Sequence, residues 1–451
     1  MAIAQRTVGE PVTQPKTFLF IVGPHRSELH AVVGLARRLQ RRGHDVHFLT
    51  GVVDATIADV GFPSHHASWL FGVSKVQVMT EPRTRRAKVI AGWAREAETG
   101  AARILAEIRP DAVLFQPFLL HLYPFFWKSG VHSAVLSTRP LLTPDPWVPP
   151  YTSRRIPDRS IVGRTAIAYD WLLRKLDYAW YRTTCATKEL LFGMSRRSHL
   201  VGASKATGFP LRLEEQSRAF WMDVKFRSVP ELVLYPQEFD FARKGKIPQG
   251  TSYIGPCVDS ERLKQELALP AGNGPLIVCN LGTVSEFTPI TRQLYQNIIE
   301  AVEREPTWRL ILSTGAHESA TALRVNPRDT ERIHVRGWVP IVAALSKADV
   351  LVNHAGGNST KEALTFGVPI LAFPEHTDQP GISARIAHHG VGLVGERRDA
   401  SADWIHETIS ALLHNTRYRQ RSSSFQDLFS QYDRSSVAET VLESVANGSG
   451  R

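Results

Sequence analysis

Short apolar runs alternate with amphipathic stretches along most of the chain. TFLFIVG (17–23) is an apolar run ending in Gly. LHAVVGLARRLQRRG follows, with Leu29, Val32, Val33, Ala36 and Leu39 on one helical face. Gly43 stands where a C-cap would end that helix, and DVHFLT (45–50) reads as the next strand. Together these predict a βαβ unit. PDAVLF (110–115) and HSAVLST (132–138) predict further buried parallel strands. Between about 141 and 226 the pattern changes to Pro-rich loops and long helices that carry Trp171, Tyr178, Tyr181 and Phe192. Core packing would account for most of these aromatics, and an apolar binding wall for a few.

A second series begins after residue 250. PLIVCNLG (275–282) is a strand ending in Gly, and ITRQLYQNIIEAVER is a helix with an apolar face. WRLILSTG, ERIHVRGW, DVLVNHAGG and VPILAFP are later strand-like runs, several of them separated by helical segments. The segment 241–262 contains Gly and Pro with few periodic apolar positions, and reads as a linker. The expected division is a disordered lead (1–16), an N-terminal α/β domain (17–240), the linker (241–262), a C-terminal α/β domain (263–425), and a helix and tail (426–451) that could pack back on the first domain. Two doubly wound domains would face each other across a cleft, with ligands at the carboxyl ends of their strands.

Composition narrows the class. A 451-residue chain that is 43% hydrophobic and 22% charged is ordinary for a globular protein of two or three domains. Its three cysteines, Cys185, Cys257 and Cys279, are widely spaced and predict neither a disulfide framework nor a cysteine metal site. Residues 1–16 lack the apolar core of a secretion signal, and no apolar run reaches the roughly 18 residues a bilayer span needs. The expected location is the cytoplasm. The net charge of +11 raises nucleic acid or an anionic surface as partners. The basic clusters at 81–89, 153–160 and 172–182 are mixed with acids and aromatics, and no nucleic-acid-binding motif accompanies them. Nucleic acid is therefore not expected, and peripheral membrane contact stays open. A monomer or weak dimer is expected.

HAGGNSTKEA (354–363) leads from one apolar run towards another, yet it matches neither GxxxxGK[ST] nor GxGxxG. His354 can donate to a phosphate oxygen, and Gly356 and Gly357 let the backbone come close to a diphosphate. Asn358, Ser359 and the first N–H groups of the helix add donors, and the helix dipole favours an anion. Glu362 would repel phosphate, so it should meet a neutral group with paired hydroxyls. The surrounding segment 337–395 has the order W-x-P, H-x-G-G-N-S-x-x-E, G-V-P and D-Q, preceded by YIGP (253–256) and NLGTV (280–284). It resembles the donor-binding signature of family 1 nucleotide-sugar glycosyltransferases, which have the GT-B fold. Bacterial enzymes acting on macrolides and carotenoids look closest. The N-terminal half resembles that family mainly through LARRLQRRGHDVHFLT. The resemblance implies that Glu362 takes the ribose hydroxyls, which tilts the donor towards a UDP-sugar. It implies that Trp338 stacks on the base while the Val339 backbone reads its edge. Asp378 and Gln379 would contact sugar hydroxyls, and Gly282 and Thr283 would close on the diphosphate. No cofactor is implied besides the UDP-sugar co-substrate. The sequence has no Asp-x-Asp pair and no metal-ligand spacing, so no metal is expected. The nearest acidic pair, EFD (238–240), reads as structural.

An inverting transfer needs a general base for the acceptor hydroxyl. The family usually has a His there, oriented by a buried Asp. Counting back from LARRLQRRGH puts Glu28 at the base position, flanked by His25 and His30, and puts Gln116 at the partner position. A carboxylate base needs no orienting carboxylate, and Gln116 could only hydrogen-bond to it. Glu28 is therefore the first candidate, with burial raising its pKa. His30 and His25 are the rivals, and a Glu favoured by the helix dipole is the structural alternative. Gln116, Phe118 and Trp171 are candidates for the acceptor wall. The expected activity is transfer of a hexose, glucose first, to a hydroxyl of a small apolar acceptor. The alternatives are a sugar-nucleotide epimerase, and a nucleotide-sugar-binding or auxiliary protein without catalysis.

Overall fold

The computed structural model describes residues 14–51, 60–74, 80–192, 195, 197–216, 224–282 and 287–448. Seven strands form the first sheet: β1 (Thr17–Val22), β2 (Asp45–Thr50), β3 (Ser64–His66), β4 (Ala112–Phe115), β5 (His132–Ser137), β6 (Glu231–Val233) and β7 (Thr251–Tyr253). Their order is β3-β2-β1-β4-β5-β6-β7, and all pairings are parallel. Six form the second: β8 (Leu276–Asn280), β9 (Arg309–Ser313), β10 (Ile333–Arg336), β11 (Val350–Asn353), β12 (Ile370–Ala372) and β13 (Gly392–Val394). Their order is β10-β9-β8-β11-β12-β13, again wholly parallel.

Parallel strands are covered on both faces, which is why these runs are almost continuously apolar. Alternate residues of β1 enter different cores. Phe18, Phe20 and Val22 join Leu29 and Val32 of the Arg26–Arg41 helix. Leu19 and Ile21 join Trp93 and Ala97 of the Arg83–Ile108 helix on the other face. Each such fully buried side chain is worth about 1.5–3 kcal/mol.

Several boundaries differ from the sequence reading. The segment read as linker contains β7, which pairs with β6, so the first sheet extends to Tyr253. Three-residue strands such as β3, β6, β7 and β13 are too short to show a period. Of the lead, residues 1–13 lie outside the described residues. Lys16 is held in place, its ammonium 3.2 Å from Asp111, which also accepts the Thr17 N–H at 2.8 Å. The final helix, Val437–Ala446, sends Ala438, Leu442 and Val445 into the core of the first sheet beside Phe18 and Leu136. Arg38 ties it down through Glu439 at 2.8 Å.

Core packing accounts for fewer of the aromatics than expected. In the Ile161–Phe192 helix, Trp171 is buried and its indole N–H donates to the Val148 carbonyl at 2.8 Å. Phe192 faces solvent, and Tyr178 and Tyr181 are only half-buried.

Candidate functional site

Strand order reverses between β1 and β4 in the first sheet, and between β8 and β11 in the second. These are the topological switch points, where a crevice opens at the carboxyl ends of the strands. His25 lies in the loop after β1 and Glu28 in the first turn of the Arg26–Arg41 helix that follows; Gln116 follows β4, with Phe118 in the short 3-10 helix Pro117–Leu122 next to it. The loop after β8 carries Gly282, and the loop after β11 carries His354 to Gly356, with Gly357 opening the next helix. Thr283 lies outside the described residues.

The β11 loop is pinned from below. Asn353, fully buried, accepts the Ala355 N–H at 2.9 Å and donates to the Ser359 hydroxyl at 3.1 Å. That hydroxyl donates in turn to the Gly356 carbonyl at 3.3 Å. Ala355 is held at φ 57, a left-handed conformation that costs a non-glycine residue on the order of 1–3 kcal/mol. The His354 ring lies against two glycines: a Cβ on Gly356 would come within 2.4 Å of its Nε2, and one on Gly282 within 2.9 Å. Burial, and then the Arg397 guanidinium, push the His354 pKa down to about 4, so the ring is neutral at pH 7. Its Nδ1 is buried, and a contact with the Asn280 backbone opposes the shift. Gly356→Ala would displace this ring. Affinity for a nucleoside diphosphate, read by calorimetry, is expected to fall about tenfold or more.

Gly356 caps the Gly357–Thr365 helix without any side-chain bond to its first N–H groups. Those donors are available to an anion. Gly357 approaches the first domain closely. A Cβ there would come within 2.6 Å of the Thr138 carbonyl, and the Tyr235 hydroxyl donates to the Gly357 carbonyl. Asn358 crosses the cleft, donating to the Ser27 carbonyl at 2.6 Å while its Oδ1 is buried without a partner. Lys361 also crosses, to the Ala31 carbonyl at 3.3 Å. The N-termini of the Arg26–Arg41 and Gly357–Thr365 helices therefore meet, and Glu28 lies at their junction.

Glu28 accepts the His25 N–H at 3.2 Å, a helix-capping contact. Burial nevertheless raises its pKa to about 7, the His25 bond opposing it. His30 moves the other way. Burial, then Arg262 and Arg26, push its pKa down to about 3, which makes it a weak base. His25 is exposed. Gln116 does not reach the Glu28 carboxylate. Its oxygen accepts the Gly23 N–H at 2.9 Å and its amide donates to the Glu28 backbone carbonyl at 2.5 Å. This corrects the expected contact: Gln116 fixes the main chain around the carboxylate. Phe118 packs beside it, so that a Cβ on Gly23 would meet both the Glu28 carboxylate and the Phe118 ring. Trp171 is committed to Val148.

Trp338 is half exposed, with the Arg26 guanidinium 6.0 Å from its ring, whereas Val339 is a core residue. Asp378 precedes the Gln379–His389 helix and accepts from the Thr377 hydroxyl at 3.0 Å. The Gln379 oxygen is committed to its own loop, accepting the Glu375 N–H at 2.8 Å and the His376 N–H at 3.3 Å. Glu362 differs most from its expected setting. It is buried, and its carboxylate pairs with Arg262 at 2.5 Å. A ribose would have to share that carboxylate. Arg26, Arg262 and Tyr235 escaped the sequence reading because nothing in their local spacing marks a partner far along the chain. For Arg26 alone, adjacency to Glu28 was a usable signal.

Residues 317–443 match the family described as erythromycin biosynthesis protein CIII-like, C-terminal domain. The NDP-glycosyltransferase YjiC of Bacillus subtilis (strain 168) is 26% identical over 202 residues, 44% of this chain and 50% of that protein. The demethyllactenocin mycarosyltransferase of Streptomyces fradiae is 28% identical over 220 residues, 48% of this chain and 45% of that protein. The chain thus spans about half the length of the curated relatives it matches. The crystal structure of the kitacinnamycin glycotransferase superposes with a TM-score of 0.63 at 21% identity, covering 96% of this chain and 99% of that one. Residues 317–443 are thus similar to the C-terminal domain of erythromycin biosynthesis protein CIII-like proteins, and the chain has the GT-B fold of the solved structures it superposes on.

Proposed function

We propose that the protein is an inverting glycosyltransferase that moves a hexose from a nucleoside diphosphate to a hydroxyl of a small, largely apolar acceptor. One observation carries this reading. A carboxylate raised to a pKa of about 7 at one switch point adjoins an uncapped helix N-terminus at the other, through the Asn358–Ser27 bond. Glu28 would take the acceptor proton as its oxygen attacks the anomeric carbon. The helix N–H groups and neutral His354 would stabilise the departing diphosphate. Trp338 would stack on the base, and Asp378 and Gln379 would orient the sugar. The acceptor would lie in the first domain, near Phe118. UDP-glucose is the first donor to try. Because Arg262 engages Glu362, recognition of a ribose 2′-hydroxyl is not preset, and dTDP-sugars are the second.

The test is release of nucleoside diphosphate from UDP- and dTDP-sugars over a panel of hydroxylated polyketides, terpenoids and flavonoids. Acceptor-dependent release with an inverted anomeric bond is expected. Donor binding by calorimetry with no release would indicate a binding protein. An altered sugar nucleotide formed without acceptor would indicate an epimerase. Glu362→Gln should raise KM for a UDP-sugar more than for its dTDP counterpart if the ribose reading holds.

A further inference from the structure

The Ile161–Phe192 helix is amphipathic in the reverse sense. Its buried side is narrow, consisting of Gly163, Ile167, Trp171 and Cys185. At about 100° per residue, the outward arc collects Ile161, Tyr169, Leu172, Leu176, Trp180 and Leu190. These side chains are exposed: Leu176 is 55%, Leu190 70% and Trp180 72% accessible. No charged residue of the helix falls on this arc. Arg164, Lys175 and Arg182 line one border of it, Arg182 lying 3.8 Å from the Glu215 carboxylate, and Asp170 and Asp177 lie beyond the other edge. From Ile161 to Leu190 the stripe is about 44 Å long, with Thr165, Thr183 and Thr187 also on the arc. Soluble proteins rarely expose an apolar patch of that extent without a partner.

We infer that this stripe docks the protein on an anionic lipid bilayer, with the helix lying in the interface. The inference goes beyond the transfer reading and does not rest on it. An anionic bilayer offers an apolar layer beneath a negatively charged one, which complements an apolar stripe with a basic border on a chain of net charge +11. Tyr169 and Trp180 suit that boundary, having apolar bodies and polar tips. Among the described residues no helix is long and apolar enough to cross a membrane, so the helix would lie flat. A second copy fits less well. A two-fold antiparallel pairing of the stripes would bring the basic border of one copy against that of the other.

The test is co-sedimentation of the full chain with phosphatidylcholine vesicles, with and without about 30% phosphatidylglycerol, at low and high salt. Binding to the anionic vesicles that weakens with salt is expected. L176E/W180E should reduce it at least about tenfold, with circular dichroism and thermal unfolding unchanged. R164Q/K175Q leaves the stripe intact and should weaken binding to anionic vesicles selectively. Absence of binding by the wild type, or binding indifferent to L176E/W180E, would overturn the inference. So would a dimer seen by light scattering that depends on the stripe while vesicles are ignored.

Discussion

Glu28→Gln is expected to lower kcat by roughly 10²- to 10⁴-fold while leaving donor affinity in place. The amide is nearly isosteric and can still accept the His25 N–H that the carboxylate accepts at 3.2 Å, so the capping contact survives and only proton acceptance is lost. The wild type carries its own control in its pH dependence. Burial raises the Glu28 pKa to about 7, so the carboxyl is protonated below that pH and cannot take a proton. kcat/KM for the acceptor should therefore rise as pH increases through about 7 and flatten above it. That limb should vanish in Glu28→Gln. If His30 were the base, the limb would lie near its pKa of about 3, well below the working range. A variant that kept full turnover and an unchanged limb would remove Glu28 from the mechanism.

The second large effect concerns stability. Arg385, in the second domain, is 1% exposed and meets Asp240, 5% exposed, through two hydrogen bonds, Nε lying 3.0 Å from Oδ1. Tyr253 donates to the same carboxylate at 2.5 Å, and the guanidinium lies 4.2 Å from the Phe241 ring centroid. Removing one partner of a buried pair strands the other, so Arg385→Met should destabilise the protein by about 3–5 kcal/mol in chemical denaturation. The sign with pH follows. Burial raises the Asp240 pKa, but Arg385, the Tyr253 hydroxyl and the Phe241 N–H together outweigh it and the net shift is downward. The wild-type contribution is complete above the ordinary carboxylate range and is lost as pH falls through the depressed folded value. In the variant the buried carboxylate instead gains by protonation. The gap between wild type and variant should therefore narrow as the pH is lowered. A gap independent of pH would show that Asp240 is not the group left exposed to the cost.

The strand–helix rhythm was legible because parallel strands buried on both faces are written as near-continuous apolar runs. Leu19, Phe20 and Ile21 need no partner to announce themselves. The loop at His354 was legible for a similar reason: glycines, small donors and a following helix lie within ten residues, where chemistry is local. β7 and the Arg385–Asp240 pair were not legible. Three residues cannot show a period, and a pair 145 residues apart has no local mark. Glu362 shows the limit most directly. Its place in the motif assigns it a hydroxyl partner, yet a guanidinium 100 residues earlier in the chain reaches it in space.

By itself the sequence determined the α/β class and pointed to two such units and a phosphate-type loop, each from periodicity or spacing within a few helical turns, whereas the candidacy of Glu28 came from the family resemblance. Only the tertiary structure decided which nitrogens and carboxylates carry charge there, because burial and distant arginines set those pKa values. It also decided that the Ile161–Phe192 helix turns its apolar side outward. The same apolar residues would read as a core face in either orientation. Which face is covered depends on what the rest of the chain packs against it.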